Sequence, residues 1–225
     1  MSRNHKNVAY LMFVVVLALA ALDQTILGTA LPVIARELRG DSQVSWVFSA
    51  YLIASTVVIP LYGKAADAYG SKPMLLTAIS LFFVGSLACG FSANMSQLII
   101  SRGIQGAGAG GLMTLTMLGV LEMYPPDARG KYQALLAASY GISTMFGPLL
   151  GGLLVENLSW QWAFFINLPG ALLALVILAI YFQGEAVREA QRVDLIGAAM
   201  LAAALIVGLL GSSSFRVEFD SENPS

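Results

Sequence analysis

The chain has 225 residues, 57% of them hydrophobic and only 11% charged, with a mean hydropathy of +0.75, whereas a soluble domain carries about 25% charged residues. This composition excludes a solvated globular surface and indicates an all-α membrane protein. The net charge of −1, the absence of a basic patch interleaved with aromatics, the single cysteine (Cys89) and the single histidine (His5, in a polar tail) leave no basis for nucleic-acid binding, a disulfide, a metal site, a cofactor or an enzyme.

The polar segment MSRNHKN precedes a first apolar run at about 10–30. The run is long for a secretory signal and no polar mature domain follows, so it reads as a membrane helix. Further apolar runs lie at about 46–62, 73–91, 98–120, 132–154, 162–182 and 195–210. Each is near the roughly 20 residues that a bilayer requires, which gives seven expected spans.

Charges in the connecting segments set the orientation. With the N-terminus in the cytoplasm, Arg3, Lys6, Lys64, Lys72, Arg129, Lys131, Arg188 and Arg192 lie inside, and only Arg36, Arg39 and Arg216 lie outside. This is the positive-inside distribution, and the reverse orientation inverts it.

Asp23 in the first run and Arg102 in the fourth are the ionisable residues well inside a predicted span. A charge in hydrocarbon is unfavourable by at least about 2.5 kcal/mol and requires a partner, a polar cavity or a route to the interface. At 1.5 Å per residue, Asp23 lies about 20 Å along its helix from Tyr10, and Arg102 about 6 Å below the outer start of its antiparallel helix. Both therefore fall toward the outer half at compatible depths. Two readings stand open at this point: a static ion pair or outward-snorkelling arginine, and a titrating carboxylate tuned by the arginine.

The segment 63–73 reads as a short inside loop framed by Gly63 and Gly70, with Asp67 placed to accept hydrogen bonds from a helix N-terminus and Lys64 and Lys72 facing the anionic leaflet. Residues 98–120, LIISRGIQGAGAGGLMTLTMLGV, are crowded with glycine, which costs about 1 kcal/mol per residue in a soluble helix. In lipid such residues allow neighbouring helices to approach on more than one side. Gly106 lies in the dense part of this stretch, whereas Gly119 reads as a less constrained position near the helix end. The fifth run carries Gly141, Ser143, Gly147, Pro148, Gly151 and Gly152, consistent either with a packing kink or with a gating surface. Trp160 and Trp162 read as interfacial aromatics, and 167–170, Asn-Leu-Pro-Gly, as a local break.

These residues together resemble the major facilitator superfamily, in particular the N-terminal half of its drug:proton antiporters with fourteen membrane helices. The run from Leu22 through Asp23 to Ala30-Leu31-Pro32 is similar to that group's first-helix motif. Gly63, Asp67, Gly70 and Lys72 match the signature between helices two and three, with Ala68 and Pro73 where basic residues are usual. Arg102, Gln105, Gly106, Gly108 and Gly110 match the fourth-helix motif, and Gly147, Pro148, Gly151 and Gly152 the fifth-helix antiporter motif. The matches run in the family's order and spacing from Asp23 to Gly170. The run that follows Val193-Asp194-Leu195 resembles an additional helix between the halves of fourteen-helix members.

The resemblance implies a six-helix transporter bundle over 1–183, an inner loop and seventh transmembrane helix over 184–211, and a polar tail over 212–225. It also implies proton coupling at Asp23 and Arg102, a conformational role for Gly63, Asp67, Gly70 and Lys72, and packing or gating by Gln105, Gly106, Gly108, Gly110, Gly147, Pro148, Gly151 and Gly152. The expected activity is proton-coupled export of small hydrophobic or cationic compounds from a bacterial inner membrane, with protons, such substrates and membrane lipids as partners. Because such carriers enclose their site between two bundles, the chain is expected to be truncated and to need a C-terminal half; a non-transporting fragment that associates with another chain is the alternative. A reporter fused after Arg129 is expected to be cytoplasmic and one fused after Asn157 external; reversed signals would overturn the topology.

Overall fold

The computed structural model describes residues 3–184, and all regular structure among them is helical. The helices are α1 (Arg3–Glu37), α2 (Val44–Tyr69), α3 (Ser71–Gly90), α4 (Met95–Met123), α5 (Pro126–Asn157), α6 (Trp162–Phe165) and α7 (Asn167–Tyr181), with a 3-10 turn at Asp41–Gln43 before α2. The short α6 and α7 meet at Ile166 and act as one bent span. Among the described residues, six segments are then long and apolar enough to cross a membrane. The expected six-helix bundle is present. The expected seventh helix and polar tail lie outside the described residues.

Local chemistry sets several boundaries. Asn94 caps α4 by accepting from the Gln97 N–H at 2.9 Å, while Gln97 Oε1 accepts from the Ala93 N–H at 2.9 Å. Pro126 opens α5 at a position where its missing N–H leaves no bond unmade. The loop expected over 63–73 is mostly helix: α2 continues through Gly63, Lys64 and Asp67 to Tyr69, and Gly70 alone separates it from α3. Gly70 has φ 91° and ψ 152°, which a side chain would strain, so the reversal depends on glycine. The helix continues because Ala65, Ala66 and Ala68 are strong helix formers and Gly63 is a single interruption. Helix α5 likewise continues through Pro148.

Helix α4 packs against α2 and α3, and α1 against α5 and α7; contacts of α1 with α4 and of α3 with α7 join the two groups. The core is divided into two apolar clusters. One contains Phe13, Val16, Leu17, Leu75, Phe82, Leu112, Leu115 and Leu178; the other contains Ile26, Leu27, Ile34, Val47, Leu98, Trp160 and Phe164. On α1, α3, α4 and the bent last span, the residues between these clusters are Asp23, Ser86, Arg102, Gln105 and Asn167, all buried. A polar layer therefore crosses the bundle between two dry layers.

At the amino-terminal end, Lys6 Nζ donates to the Met123 carbonyl at 2.8 Å and Lys72 Nζ to the Ala179 carbonyl at 2.7 Å, placing cations on the C-terminal ends of α4 and α7. Ser71 Oγ donates to Glu122 Oε2 at 2.6 Å, tying α3 to α4. Trp160 departs from the interfacial role expected of it. It is buried in the second cluster with Nε1 donating to Glu37 Oε2 at 2.8 Å, whereas Trp162 is exposed.

The glycines of α4 are closed on more than one side. A side chain at Gly106 would collide with the Tyr51 backbone, at Gly108 with the Phe82 backbone, and at Gly110 with the Ser55 carbonyl. Gly119 is more constrained than its position suggested, because it faces the Phe13 ring, while Gly103 faces open space. The substitution Gly106→Leu is therefore expected to abolish α2–α4 docking and lower the yield of folded protein at least several-fold, and Gly103→Leu to leave it near wild type. Protease resistance in detergent micelles measures the difference; equal resistance of the two variants would overturn the close-packing account.

Candidate functional site

Asp23 and Arg102 meet in the polar layer. Arg102 Nη1 donates to Asp23 Oδ2 at 2.6 Å, and both side chains are shut off from the surface. Residues 102 and 105 lie three apart on α4 and so share a face. Arg102 Nη1 also donates to Gln105 Oε1 at 2.7 Å, while Gln105 Nε2 donates to Asp23 Oδ1 at 2.7 Å and to Ser86 Oγ at 2.8 Å. From α7, Asn167 Nδ2 donates to Asp23 Oδ1 at 2.8 Å. The carboxylate thus accepts three hydrogen bonds from two helices.

The guanidinium has further neighbours. Its carbon lies 4.1 Å from the centroid of the Tyr51 ring and 5.9 Å from that of Phe164, and Nε donates to the Val47 carbonyl at 3.4 Å. An aromatic face attracts such a cation most strongly when water is excluded. Burial of two charges costs several kcal/mol per ion unless geometry and additional hydrogen bonds compensate. These contacts supply that compensation. Three buried polar atoms of this cluster are nevertheless without a hydrogen-bond partner: Arg102 Nη2, Asn167 Oδ1 and the Tyr51 hydroxyl.

The expected site residues divide into three groups. Asp23 and Arg102 form the ion pair, and Gln105, expected among the packing and gating residues, bonds directly to both. Gly106, Gly108 and Gly110 contact α2 or α3, and Gly147 and Gly151 contact Thr25, Ile26 and Thr29 of α1; a side chain at Gly152 would enter open space, and Pro148 is exposed. Gly63, Asp67, Gly70 and Lys72 lie away from the ion pair, at the amino-terminal end. Asp67 is exposed and, among the described residues, engages no hydrogen bond or ion pair, so the helix-capping role expected of it is not made here. Lys72 instead holds the end of α7.

Sequence reasoning missed Asn167, Ser86 and Tyr51 as parts of this site. Asn167 carried a signal, being a strongly polar residue within an apolar span, but the following Leu-Pro-Gly gave it a ready explanation as a break. Ser86 and Tyr51 carried none, since membrane helices accommodate both.

The pattern of the Major Facilitator Superfamily matches residues 13–216. The chain belongs to the Major Facilitator Superfamily. It is 38% identical over 172 residues to Multidrug transporter protein MdtP of Bacillus subtilis, a match covering 76% of this chain and 32% of that protein. It is 35% identical over 188 residues to Multidrug resistance protein 3 of the same organism, covering 84% of this chain and 37% of that protein. The chain spans about a third of the length of these curated relatives. Among solved structures it resembles the human organic anion transporter MFSD10, with a TM-score of 0.69 and 19% identity over 89% of this chain and 54% of that one, a likeness of fold. Family membership, together with six long apolar helices, makes the chain an integral, multi-pass membrane protein of a transport family.

Removing one partner of a buried ion pair strands the other. Arg102→Met is therefore expected to destabilise the bundle by about 3–5 kcal/mol, and the double substitution with Asp23→Leu to recover most of that loss. Denaturation in detergent micelles, completed as a double-mutant cycle, measures the effect. Additive losses would show that the pair is not coupled.

Proposed function

We propose that this chain supplies the proton-coupling bundle of a secondary transporter that exports small hydrophobic or cationic compounds in exchange for protons. One observation carries the reading: Asp23, a carboxylate enclosed by membrane helices, is held by hydrogen bonds from α4 and α7 rather than by one isolated partner. Burial disfavours the charged carboxylate while arginine and hydrogen-bond donors favour it. A small change in helix packing or hydration can tip such a balance, which lets proton uptake be linked to a conformational change. Arg102 acts in this scheme as the electrostatic regulator of Asp23.

The relatives named for multidrug transport and resistance support the substrate class. The motif pattern supports placement among the fourteen-helix drug:proton antiporters, and the distribution of basic residues supports a cytoplasmic N-terminus in a bacterial inner membrane. Transport requires a second bundle. In α2 and α5 only 11% of the most apolar 18-residue stretch is buried within the chain, against 61% in α4, so these two helices have the largest faces available to it. Gly63, Asp67, Gly70 and Lys72 lie at the inner end and serve the rocking of the bundles; Gly147 and Gly151 serve the close packing of α5 on α1, and Pro148 and Gly152 the open face of α5.

The test is gradient-driven uptake of a fluorescent lipophilic cation into proteoliposomes that contain the complete carrier. Asp23→Asn is expected to reduce uptake to less than about a tenth of wild type, consistent with loss of the ionisable group at a proton-transfer step, while binding of the cation persists. Arg102→Ala is expected to shift the pH profile or abolish turnover. Wild-type gradient-driven uptake by Asp23→Asn would overturn the coupling role.

A further inference from the structure

We propose that Asn167 is a positioning residue that follows the protonation state of Asp23 by turning its side-chain amide, an inference that rests on the coupling role given to Asp23 above. An ionised carboxylate only accepts hydrogen bonds, but a protonated carboxyl must also donate one. In the charged pair every group touching Asp23 is a donor: Arg102 Nη1, Gln105 Nε2 and Asn167 Nδ2. A proton arriving from water at Oδ1 therefore finds no acceptor unless one of these groups changes.

Arginine has no acceptor to offer. Gln105 is fixed by bonds at both ends of its amide, since Nε2 donates to Asp23 and Ser86 and Oε1 accepts from Arg102 and from Cys89 Sγ at 3.5 Å. Asn167 differs. Its amide makes one hydrogen bond, through Nδ2, and its fully buried Oδ1 has no partner. A half-turn of the amide brings Oδ1 to the protonated Asp23 and breaks only the bond that the incoming proton has already made unfavourable. The same side chain is thus a donor to the charged form and an acceptor from the neutral one.

Among the described residues, no titratable group other than Arg102 hydrogen-bonds the Asp23 carboxylate. Arg102 faces it from α4, Tyr51 from α2 and Cys89 from α3, while α5 brings Tyr140, whose hydroxyl contacts Gln24 Oε1 at 3.5 Å, and α7 brings Asn167 alone. Substituting Asn167 therefore has an effect whose sign depends on its role. If Asn167 were only a donor to the carboxylate, Asn167→Leu would favour protonation and move the titration of Asp23 to higher pH. If it turns, the neutral form loses the acceptor that Asn167 supplied, whereas the charged form keeps Arg102 and Gln105. The titration then moves to lower pH.

Infrared difference spectroscopy on the 225-residue chain in lipid nanodiscs, with acid titration, reads this directly. In the wild type, the carboxyl stretch that is absent from Asp23→Asn is expected to rise together with a shift in the asparagine side-chain amide bands, identified by 15N labelling of the asparagine side chain. Asn167→Leu is expected to lower the midpoint of the carboxyl band by about one pH unit, a tenfold change in proton affinity. A midpoint that rises or stays fixed in Asn167→Leu, or a wild-type carboxyl band that appears without any asparagine change, would overturn the turning amide and leave proton binding at Asp23 intact. Absence of an Asp23 carboxyl band at every pH would overturn both the amide role and the coupling role. The labelled wild type decides the question even if Asn167→Leu does not fold.

Discussion

The structure depends on keeping one carboxylate and one guanidinium in a place without water. Two charges in such a medium are tolerated only if their remaining hydrogen-bonding capacity is met close by. No single helix can do this for Asp23. Arg102 and Gln105 reach it from α4 and Asn167 from α7, while Ser86 of α3 anchors Gln105. Four segments are thereby fixed in height relative to one another, and the apolar clusters on either side exclude water from the layer.

That polar layer accounts for the placement of several glycines. Gly85 immediately precedes Ser86, and a side chain there would strike the backbone of Gln105; the close approach of α3 to α4 is what brings Ser86 Oγ within 2.8 Å of Gln105 Nε2. Gly106 immediately follows Gln105 and lies against the backbone of Tyr51, so the same close contact between α4 and α2 that excludes a side chain also lays the Tyr51 ring over Arg102. Small residues and charged residues are therefore parts of one arrangement. Van der Waals contact between backbones, which drives helix association in lipid, is used here to position short polar side chains.

The first six of the seven expected helices and their approximate extent were legible in the sequence, and so was the shared need of Asp23 and Arg102, although their direct contact was one of several open readings. Long apolar runs have few alternatives in a bilayer, and a lone aspartate and a lone arginine at similar depths have a common need. The segment at 63–69 was misjudged because glycine and charge resemble a loop, whereas a helix end projecting from the bilayer tolerates both. Trp160 was misjudged for a related reason: tryptophan suits an interface because its N–H needs a partner, and Glu37, exposed at the end of α1, supplies one while the ring packs into the second cluster. Asn167 was hidden because its significance lies in a contact across 144 positions in sequence, and no local pattern records that.

Helices α2 and α5 stand apart from this layer in composition and burial. Little of their most apolar stretch is fully buried, and α5 approaches the site through the Tyr140 contact with Gln24 and through Gly147 against Thr25, both beside Asp23. The hydrogen-bond network around Asp23 is thus assembled from α1, α3, α4 and α7, and neither α2 nor α5 donates to the carboxylate. In the coupling proposed above, the contacts shared by both are Tyr51, which belongs to α2 and covers Arg102, and the face of α1 where Gly147 and Gly151 meet Thr25 and Thr29, within two turns of Asp23. On that proposal, a shift of α2 uncovers the guanidinium, and a shift of α5 frees the helix that carries the carboxylate. On the same proposal, either movement alters the surroundings of the pair while the bonds from α4 and α7 to Asp23 stay in place, the order of events that a proton-linked rearrangement requires.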